Sequence, residues 1–424
     1  MMATGQQIAR RRLRRPFYGW WVVSVSFVNN MVHAGAGVTG YGLFLIPMGV
    51  ELGWSRAAMG AAMTVRTVAG ALAGPFAGAL ADHPQGARLL LVVGGLVGGA
   101  SLLFLSASTE LWQLYLAYGV LWGLGIAIGS ELVGSTVVAK WFIKKRSRAL
   151  AVSTLGLSTG GSAIIPVAHV LIEQVGWRTT WAILGVLTWV LLVPLAAIVV
   201  RRQPEDVGLH PDGDAEAVPA EATTAKGEVC WTLRSAIRTR TFWSLAAAMT
   251  LARIPIQGVL VHFYPYLRDT GFSSVLASGV FTVYTLSLAL AKPLWGFGME
   301  RWNVRWAIVG QFVGCGTLIL ALLATASSPA GIVGFVLLYP LSVGGWAVAE
   351  VMLWTTYYGR GFLGSLRGAV YPAMVICTGL GPLLGGLLRD ATGSYTSMWV
   401  LFAGAWLGSG VLLALAPRPA KPSS

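Results

Sequence analysis

Long blocks of apolar residues alternate along this chain with short polar segments. One such block, 331–354, contains a single charged residue, Glu350. A helix of about 20 apolar residues spans the roughly 30 Å hydrocarbon core of a bilayer, so blocks of this length are long enough to cross a membrane. The pattern predicts twelve membrane-spanning helices, at 18–46, 58–81, 89–107, 112–138, 149–171, 181–200, 242–266, 276–298, 306–326, 331–354, 367–388 and 398–416.

One long polar stretch, 201–241, interrupts the apolar blocks. It contains three prolines and a run of acidic residues, a composition that cannot bury a core, and it is predicted to be a flexible linker. It separates a six-helix half at 18–200 from a second at 242–416, with a basic N-terminal segment at 1–17 and a tail at 417–424. The expected fold class is an all-α polytopic membrane protein.

The two halves repeat several polar, glycine and proline positions. A shift of 218 residues aligns the end of predicted helix 2 with the end of predicted helix 8. A shift of 219 residues aligns one pair of glutamates and one pair of arginines. The matched pairs are Pro75 and Pro293, Gly78 and Gly296, Asp82 and Glu300, Glu131 and Glu350, and Arg148 and Arg367. Parallel six-helix repeats are related by an axis along the membrane normal, and a substrate then binds between them near the midplane.

Composition and charge agree with a membrane protein. Hydrophobic residues make up 55% of the chain and charged residues 11%, too few to cover a soluble protein. The net charge of +14 does not indicate a nucleic-acid partner, because 23 of the 30 Lys and Arg fall on one side of the predicted topology. By the positive-inside rule that side is the cytoplasm. We therefore expect a multi-pass protein of a bacterial inner membrane, with both termini cytoplasmic and the lipid bilayer as its surroundings.

Five charged residues lie well inside predicted helices, where each costs about 2.5–3.5 kcal/mol on insertion scales; they are Arg66, Glu131, Arg253, Lys292 and Glu350. Arg253 lies near the middle of predicted helix 7, and Gln257 follows one turn later. A guanidinium suits a carboxylate, so Arg253, Gln257 and Lys292 are predicted to bind an anionic substrate. The alternatives are a buried ion pair for Arg253 and a side chain that extends to the membrane surface for Lys292.

The two membrane carboxylates, Glu131 and Glu350, occupy equivalent positions in the two halves. A buried carboxylate can gain and release a proton, so both are candidates for proton coupling, with His33 as a third. The alternatives are neutralisation of the cations in predicted helices 7 and 8, and a packing role for His33. Tyr339 and Trp346 share a helical stripe with Glu350, at spacings of 7 and 4, and are predicted to contact substrate.

Gating residues are expected where the halves meet. Arg66, in the outer half of predicted helix 2, is expected to form an ion pair or a gate. The loops after predicted helices 2 and 8 combine glycines, which allow close approach, with acids that can cap a neighbouring helix or bind arginine. The residues assigned to this conformational latch are Gly78, Asp82, Arg88 and Glu300.

Motifs of enzymes and of ATP-driven pumps are absent from the sequence. There is no P-loop, no Gly-x-Ser-x-Gly nucleophile motif and no zinc-ligand spacing among the three cysteines. We therefore expect no catalytic residue, no metal and no cofactor, and a transport process driven by gradients.

Several motifs together resemble the major facilitator superfamily. The segment 74–82, with Arg88 after it, is similar to a degenerate form of the superfamily's signature loop. Other segments resemble the monocarboxylate porter branch and its bacterial relatives, which include oxalate:formate antiporters; they are 17–23, 52–56, 140–151, 359–364 and 390–395. The resemblance covers almost the whole chain and does not identify one substrate.

The resemblance implies proton-coupled uptake of a small organic anion, such as a monocarboxylate or a related acid or lactone, by a symporter that works as a monomer. Family members usually have a substrate-binding cation in helix 8, and Lys292 lies about there. Animal members place an aspartate one turn earlier, where this chain has Leu288, and a lysine in helix 1, where it has none. Export or exchange of a drug, a metabolite or a dicarboxylate therefore stays open, whereas a membrane sensor is disfavoured because no signalling domain is present.

Overall fold

The computed structural model describes residues 17–39, 41–129, 131–213, 231–325, 328–417 and 419. The described part is dominated by twelve helices, which we number α1 to α12. The first half contains α1 (Gly19–Leu52), α2 (Arg56–Ala81), α3 (Gly86–Ser106), α4 (Leu111–Trp141), α5 (146–175) and α6 (177–199). The second contains α7 (Arg240–Asp269), α8 (Ser274–Gly298), α9 (Val304–Thr325), α10 (Pro329–Val343 and Trp346–Tyr358), α11 (Leu363–Thr392) and α12 (Thr396–Leu415).

These helices confirm the expected fold of two six-helix halves. Helices α5 and α6 form one continuous stretch, Arg146–Val199, but Gly176 within it has φ of 80° and ψ of 164°. Glycine adopts this conformation without the steric cost of a Cβ atom, so the chain reverses there with almost no loop. Helix α2, at 26 residues, is long enough to cross the bilayer although its composition is more polar than that of its neighbours.

Three differences from the predicted helix boundaries affect the polar residues inside the bundle or the path of a helix. Helix α1 runs to Leu52 rather than to residue 46 and contains a π-helical segment, His33–Thr39. Helix α11 begins at Leu363 rather than at 367. Helix α10 was predicted to be continuous but is interrupted at Gly344 and Gly345. A Cβ atom at these two glycines would overlap Ala291 and Trp295 of α8, so the interruption follows from close packing between helices.

Each half has a core of large aromatic side chains. In the first half, Phe44 stacks on Trp181 with ring centroids 3.7 Å apart, which joins α1 to α6. In the second, Phe312 lies 5.4 Å from Trp406 and joins α9 to α12. Aromatic pairs of this kind add about 0.5–1.5 kcal/mol beyond the area they bury. Each half therefore has aromatic packing of its own, within a buried core that also contains residues of both halves.

Contacts between the halves are closest where α2 crosses α11. A Cβ atom on Gly78 would overlap the carbonyl oxygen of Gly364, and one on Gly364 would overlap the carbonyl oxygen of Gly78. Gly74 and Gly368 continue the same contact one turn away. Small residues four apart on both helices allow two backbones to approach this closely in a membrane. The crossing lies near the loops after α2 and α10, on the membrane side that we call the linker side.

We expect Gly78→Ala to open the linker side. The added methyl group cannot fit against Gly364, and overpacking of this kind costs about 1–3 kcal/mol, which shifts a two-state equilibrium by roughly 5- to 150-fold. The opening can be measured from the alkylation rate of a cysteine at Ser147, which is fully buried beside α8, in a cysteine-free background. Gly60→Ala in the same helix is the control, because its Cβ meets no atom within 4 Å. Equal alkylation rates in the two variants would contradict this account.

Candidate functional site

Arg253 lies near the middle of α7 and is half-buried. Its guanidinium carbon lies 5.1 Å from the centroid of the Trp346 ring, a cation–π geometry. Within the described residues, no carboxylate oxygen is within 4.0 Å of Arg253, and its Nε atom has no hydrogen-bond partner. Gln257, one turn later, is also half-buried. An ionised guanidinium in this position is held by an aromatic face and keeps its hydrogen-bond donors available for an anion.

Glu350 is committed to a different cation. Arg367 donates from Nε and Nη2 to the two carboxylate oxygens of Glu350, at 3.0 and 2.9 Å, and both side chains are almost completely buried. This is the bidentate geometry in which arginine and carboxylate bind most strongly. The partner of Glu350 is therefore Arg367, and neither Arg253 nor Lys292 forms an ion pair with it. The buried Arg253–glutamate pair considered from the sequence does not occur with this glutamate.

Arg367 also crosses from the second half to the first. Its Nη1 atom donates to the Ser135 hydroxyl at 2.8 Å, the Thr136 hydroxyl at 3.1 Å and the Leu132 carbonyl at 3.2 Å, all of them on α4. The guanidinium thus satisfies a carboxylate in its own half and three neutral oxygens in the other. These bonds to α4 would break if the halves separated on the linker side, whereas the bond to Glu350 lies within one half.

Lys292 of α8 is 8% exposed and also bridges the halves. Its ammonium group donates to the Thr154 carbonyl at 2.9 Å and to the Ser158 hydroxyl at 2.7 Å, both on α5. The side chain is directed into the α5–α8 contact rather than to the membrane surface, which was the alternative considered from the sequence. A substrate that reached Lys292 would have to replace these oxygens.

Two of the proton-coupling candidates, Glu131 and His33, belong to the first half. Glu131 begins the helical stretch Glu131–Trp141 in α4, and its side chain lies outside the described part. His33 is buried, and its Nδ1 atom is 2.9 Å from the carbonyl oxygen of Asn29. The His33 ring lies 5.5 Å from that of Trp122, and its Nε2 atom has no hydrogen-bond partner among the described residues.

The predicted stripe on α10 is divided by the interruption at Gly344 and Gly345. Tyr339, before the interruption, is fully buried, stacks on Phe335 at 4.8 Å and accepts a hydrogen bond from the Trp406 indole at 3.2 Å. Trp346, after it, contacts Arg253. The spacing rule assumed a continuous helix, and the interruption changes the direction of side chains across it. Only Trp346 of this aromatic pair is placed against a half-buried polar group.

Arg66, for which an ion pair or a gate was expected, has a neutral partner. Its Nη1 atom donates to the Tyr118 hydroxyl at 3.3 Å, and its guanidinium carbon is 5.7 Å from the centre of that ring. The Tyr118 hydroxyl in turn donates to the Gly37 carbonyl at 2.6 Å. Among the described side chains, no carboxylate forms an ion pair with Arg66. The contact connects α2 to α4 and α1 within the first half.

Asp82, at the end of α2, binds the start of α11. Its carboxylate accepts hydrogen bonds from the backbone N–H groups of Gly364 and Ser365, at 3.2 and 2.7 Å, and from the Ser365 hydroxyl at 2.7 Å. A carboxylate here satisfies N–H groups that lack partners inside the helix and interacts favourably with the helix dipole. Lys140 adds an ion pair at 2.7 Å, with both side chains buried. The bonds to α11 form only when the linker side is closed.

Glu300, at the end of α8, occupies the position equivalent to Asp82. It accepts a hydrogen bond from Arg148 Nε at 2.6 Å, which joins α8 to the start of α5. The Arg148 side chain is 38% exposed, so solvent screens this pair more than it screens the buried Asp82–Lys140 pair. Arg88, the remaining latch candidate, is exposed and lies on the wall of a surface cleft. We call the Asp82 and Glu300 contacts together the two linker-side locks.

Several residues of the site were not identified from the sequence, namely Arg367, Lys140 and Ser365. Arg367 was aligned with Arg148 in the internal repeat, but the predicted start of helix 11 placed it at the membrane boundary. The structure begins α11 four residues earlier and places Arg367 inside the bundle, 3% exposed. The shared repeat position was the one signal that could have drawn attention to it.

Comparisons with known proteins agree with this architecture. The family profile for the Major Facilitator Superfamily matches residues 25–385. Monocarboxylate transporter 13 of Bos taurus is 25% identical over 407 residues, which cover 94% of this chain and 89% of that protein. Monocarboxylate transporter 11 of Homo sapiens is 26% identical over 359 residues, 83% of this chain and 73% of that protein. An uncharacterized MFS-type transporter of Bacillus subtilis, YcxA, is 22% identical over 407 residues, 92% and 93% of the two chains.

Solved structures show the same fold at low sequence identity. The human organic anion transporter MFSD10 superimposes with a TM-score of 0.69 at 15% identity, over 94% of this chain and 100% of that one. The proton:xylose symporter XylE gives a TM-score of 0.71 at 12% identity, over 95% and 96%. At these identities the likeness establishes the fold and carries no information about substrate.

Proposed function

We propose that this protein, which belongs to the major facilitator superfamily, is a secondary active transporter of a small organic anion. The fold and the family are those of membrane transporters and not of enzymes. The observation that supports an anion is the state of Arg253: a half-buried guanidinium at mid-membrane depth with no carboxylate partner among the described side chains. The carboxylate of Glu350, which would otherwise neutralise it, is bound by Arg367.

The chemistry of Arg253 favours a carboxylate over other anions of similar size. A guanidinium presents parallel N–H groups whose spacing matches two carboxylate oxygens, and its charge does not depend on pH in the physiological range. The indole of Trp346 covers one face of the guanidinium and offers an N–H group that has no described partner. The apolar part of an organic acid can pack beside this ring. Several relatives are named monocarboxylate transporters, in agreement with a small organic acid as the substrate.

Alternating access follows from the position of the bonds between the halves. The locks of Asp82 and Glu300, the bonds of Arg367 to α4 and the bonds of Lys292 to α5 join the halves toward the linker side. In this conformation the substrate enters from the opposite side. Rocking of the halves then breaks these bonds and opens the linker side, which we identify with the cytoplasm from the concentration of Lys and Arg there.

Proton coupling in this proposal depends on the two membrane glutamates. Glu131 lies on the helix that Arg367 contacts, and Glu350 binds Arg367 directly. A substrate anion that binds near Arg253 reduces the local positive charge, which favours protonation of a nearby glutamate. His33 is buried in the first half without a described carboxylate partner and is the weaker candidate.

Anion exchange without net proton movement is the second candidate function. One observation favours exchange. Both carboxylate oxygens of Glu350 accept hydrogen bonds from Arg367, which also donates to three oxygens of α4. Glu350 is therefore poorly placed to gain and release a proton. If Glu131 does not carry the proton either, the protein exchanges one anion for another or exports its substrate.

Removing Arg253 is expected to weaken substrate binding strongly while leaving the fold intact. Arg253→Ala should lower uptake in proteoliposomes by about 10-fold or more, since a hydrogen bond to a charged group contributes about 1.5–3 kcal/mol. Arg253→Lys should also impair uptake, because an ammonium group lacks the planar pair of donors. Arg268→Ala, at the exposed end of the same helix, is the control and should transport normally. Normal uptake by a well-folded Arg253→Ala protein would rule out this role.

Proton coupling can be separated from substrate binding with two variants. Glu131→Gln should lose accumulation driven by a pH gradient and keep substrate exchange, because exchange needs no net proton movement. Glu350→Gln alone would leave Arg367 buried and unpaired, at a cost of about 3–5 kcal/mol, so Glu350 is tested as the double variant Glu350→Gln/Arg367→Gln. If both proteins still accumulate substrate under an inward proton gradient, neither glutamate carries the proton and exchange is the better description.

The orientation in the membrane can be tested with a native cysteine. Cys230 lies outside the described residues, in the predicted linker, and is expected to face the cytoplasm. A membrane-impermeant thiol reagent should label it in disrupted cells and leave it unlabelled in intact spheroplasts. Labelling in intact spheroplasts would reverse the assignment of the two membrane sides.

A further inference from the structure

A cleft of about 700 Å³ opens on the linker side between the start of α3 and the end of α6. Three arginines are among the residues that line it, Arg88, Arg201 and Arg202. Four apolar residues also line it, Leu89, Val92, Ala197 and Val200. Helices α3 and α6 pack together within the first half, where the Trp189 indole of α6 donates to the Leu96 carbonyl of α3 at 2.9 Å. The cleft is thus formed by the first half and the start of the linker, and among the described residues it shares no lining residue with the site around Arg253.

The charge of the cleft is positive. Arg202 binds Asp206, the one acidic residue of the lining, with Nη2 2.9 Å from the carboxylate. Arg201 donates to its neighbouring backbone carbonyl, that of Val200, at 2.9 Å, and Arg88 is exposed without an ion pair in the described part of the chain. Three cations against one carboxylate leave a formal charge of +2. Donors of Arg88 and Arg201 are available for an anionic ligand.

The position of these groups fits the two parts of a phospholipid. Helix α3 begins at Gly86 and α6 ends near Val199, so the arginines lie at the boundary of the membrane-spanning region, at the depth of lipid phosphates. Leu89 and Val92 follow Arg88 into the membrane along α3, and Leu89 is 53% exposed. Basic pockets between membrane helices at this depth bind anionic lipid headgroups.

We propose that this cleft binds one anionic phospholipid, whose phosphate contacts Arg88 and Arg201 and whose acyl chain lies against Leu89 and Val92. Arg202 connects the lipid to the linker-side locks, because its Nη1 atom donates to the backbone carbonyl of Asp82 at 3.3 Å. The ligand is a bilayer component rather than a transported substrate, since no described residue that lines the cleft belongs to the second half.

The test uses the full-length protein in detergent, titrated with phosphatidylglycerol and followed by native mass spectrometry. Arg88→Gln/Arg201→Gln should bind the lipid about 30-fold more weakly than the wild type, and Arg88→Gln alone about 5-fold more weakly, from about 1 kcal/mol for each cation near an anionic headgroup. Both changes leave Asp82, Lys140 and Arg202 in place. The matched control, Arg234→Gln/Arg238→Gln, removes two exposed arginines at the end of the linker, just before α7, and should bind like the wild type.

Two further ligands test whether binding needs both the negative headgroup and the acyl chain. Phosphatidylcholine, which has no net charge, should bind much more weakly than phosphatidylglycerol, and glycerol 3-phosphate, which has no acyl chain, should not compete at equal concentration. Equal lipid binding by the cleft variants and the control would overturn the proposal. So would equal binding of phosphatidylcholine, which would indicate a purely apolar groove, or tight binding of glycerol 3-phosphate, which would indicate a site for a soluble phosphate.

Discussion

The pairing of Glu350 with Arg367 is the interaction on which the electrostatics of this protein depend. A charge inside a bilayer is tolerated when it has a partner or a function. A carboxylate whose two oxygens both accept from one guanidinium is less available to a second. Because Arg367 holds both oxygens of Glu350, Arg253 has an aromatic face and, among the described side chains, no carboxylate within ion-pair distance. The pairing within one half thus produces an available positive charge in the same half, near the middle of the membrane.

The same pairing is connected to the motion of the halves. Arg367 binds α4 of the other half through Ser135, Thr136 and Leu132, so its environment differs between the closed and open linker side. The glycine crossing of α2 and α11 and the binding of Asp82 to the start of α11 form in the same closed arrangement. Because glycines let the backbones of α2 and α11 touch, we expect the two helices to be either in close contact or separated, rather than at a continuous range of distances. The charge near the proposed substrate site and the contacts that close one membrane side are therefore connected through Arg367.

Much of the fold could be predicted from the sequence, because the length of the apolar blocks reports membrane crossing directly. The charged residues inside the apolar blocks were identifiable for the same reason, and in the structure Arg253 and Glu350 lie within membrane-spanning helices. The partners of these charges could not be predicted, since Glu350 and Arg367 lie on different helices and meet only through tertiary packing. The interruption of α10 escaped prediction because it follows from contact with Ala291 and Trp295 of α8. Local patterns carry no record of such contacts.

We propose above all that the Arg253 guanidinium, near the middle of the membrane, selects an organic anion. Counterflow in proteoliposomes tests it most directly: vesicles loaded with an unlabelled small organic acid are diluted into the labelled acid, and parallel vesicles receive the corresponding neutral amide. The account predicts transient accumulation of the acid and none of the amide. Accumulation of the amide to the same extent as the acid would contradict this claim. So would a result in which no organic anion of a panel accumulates while neutral solutes exchange.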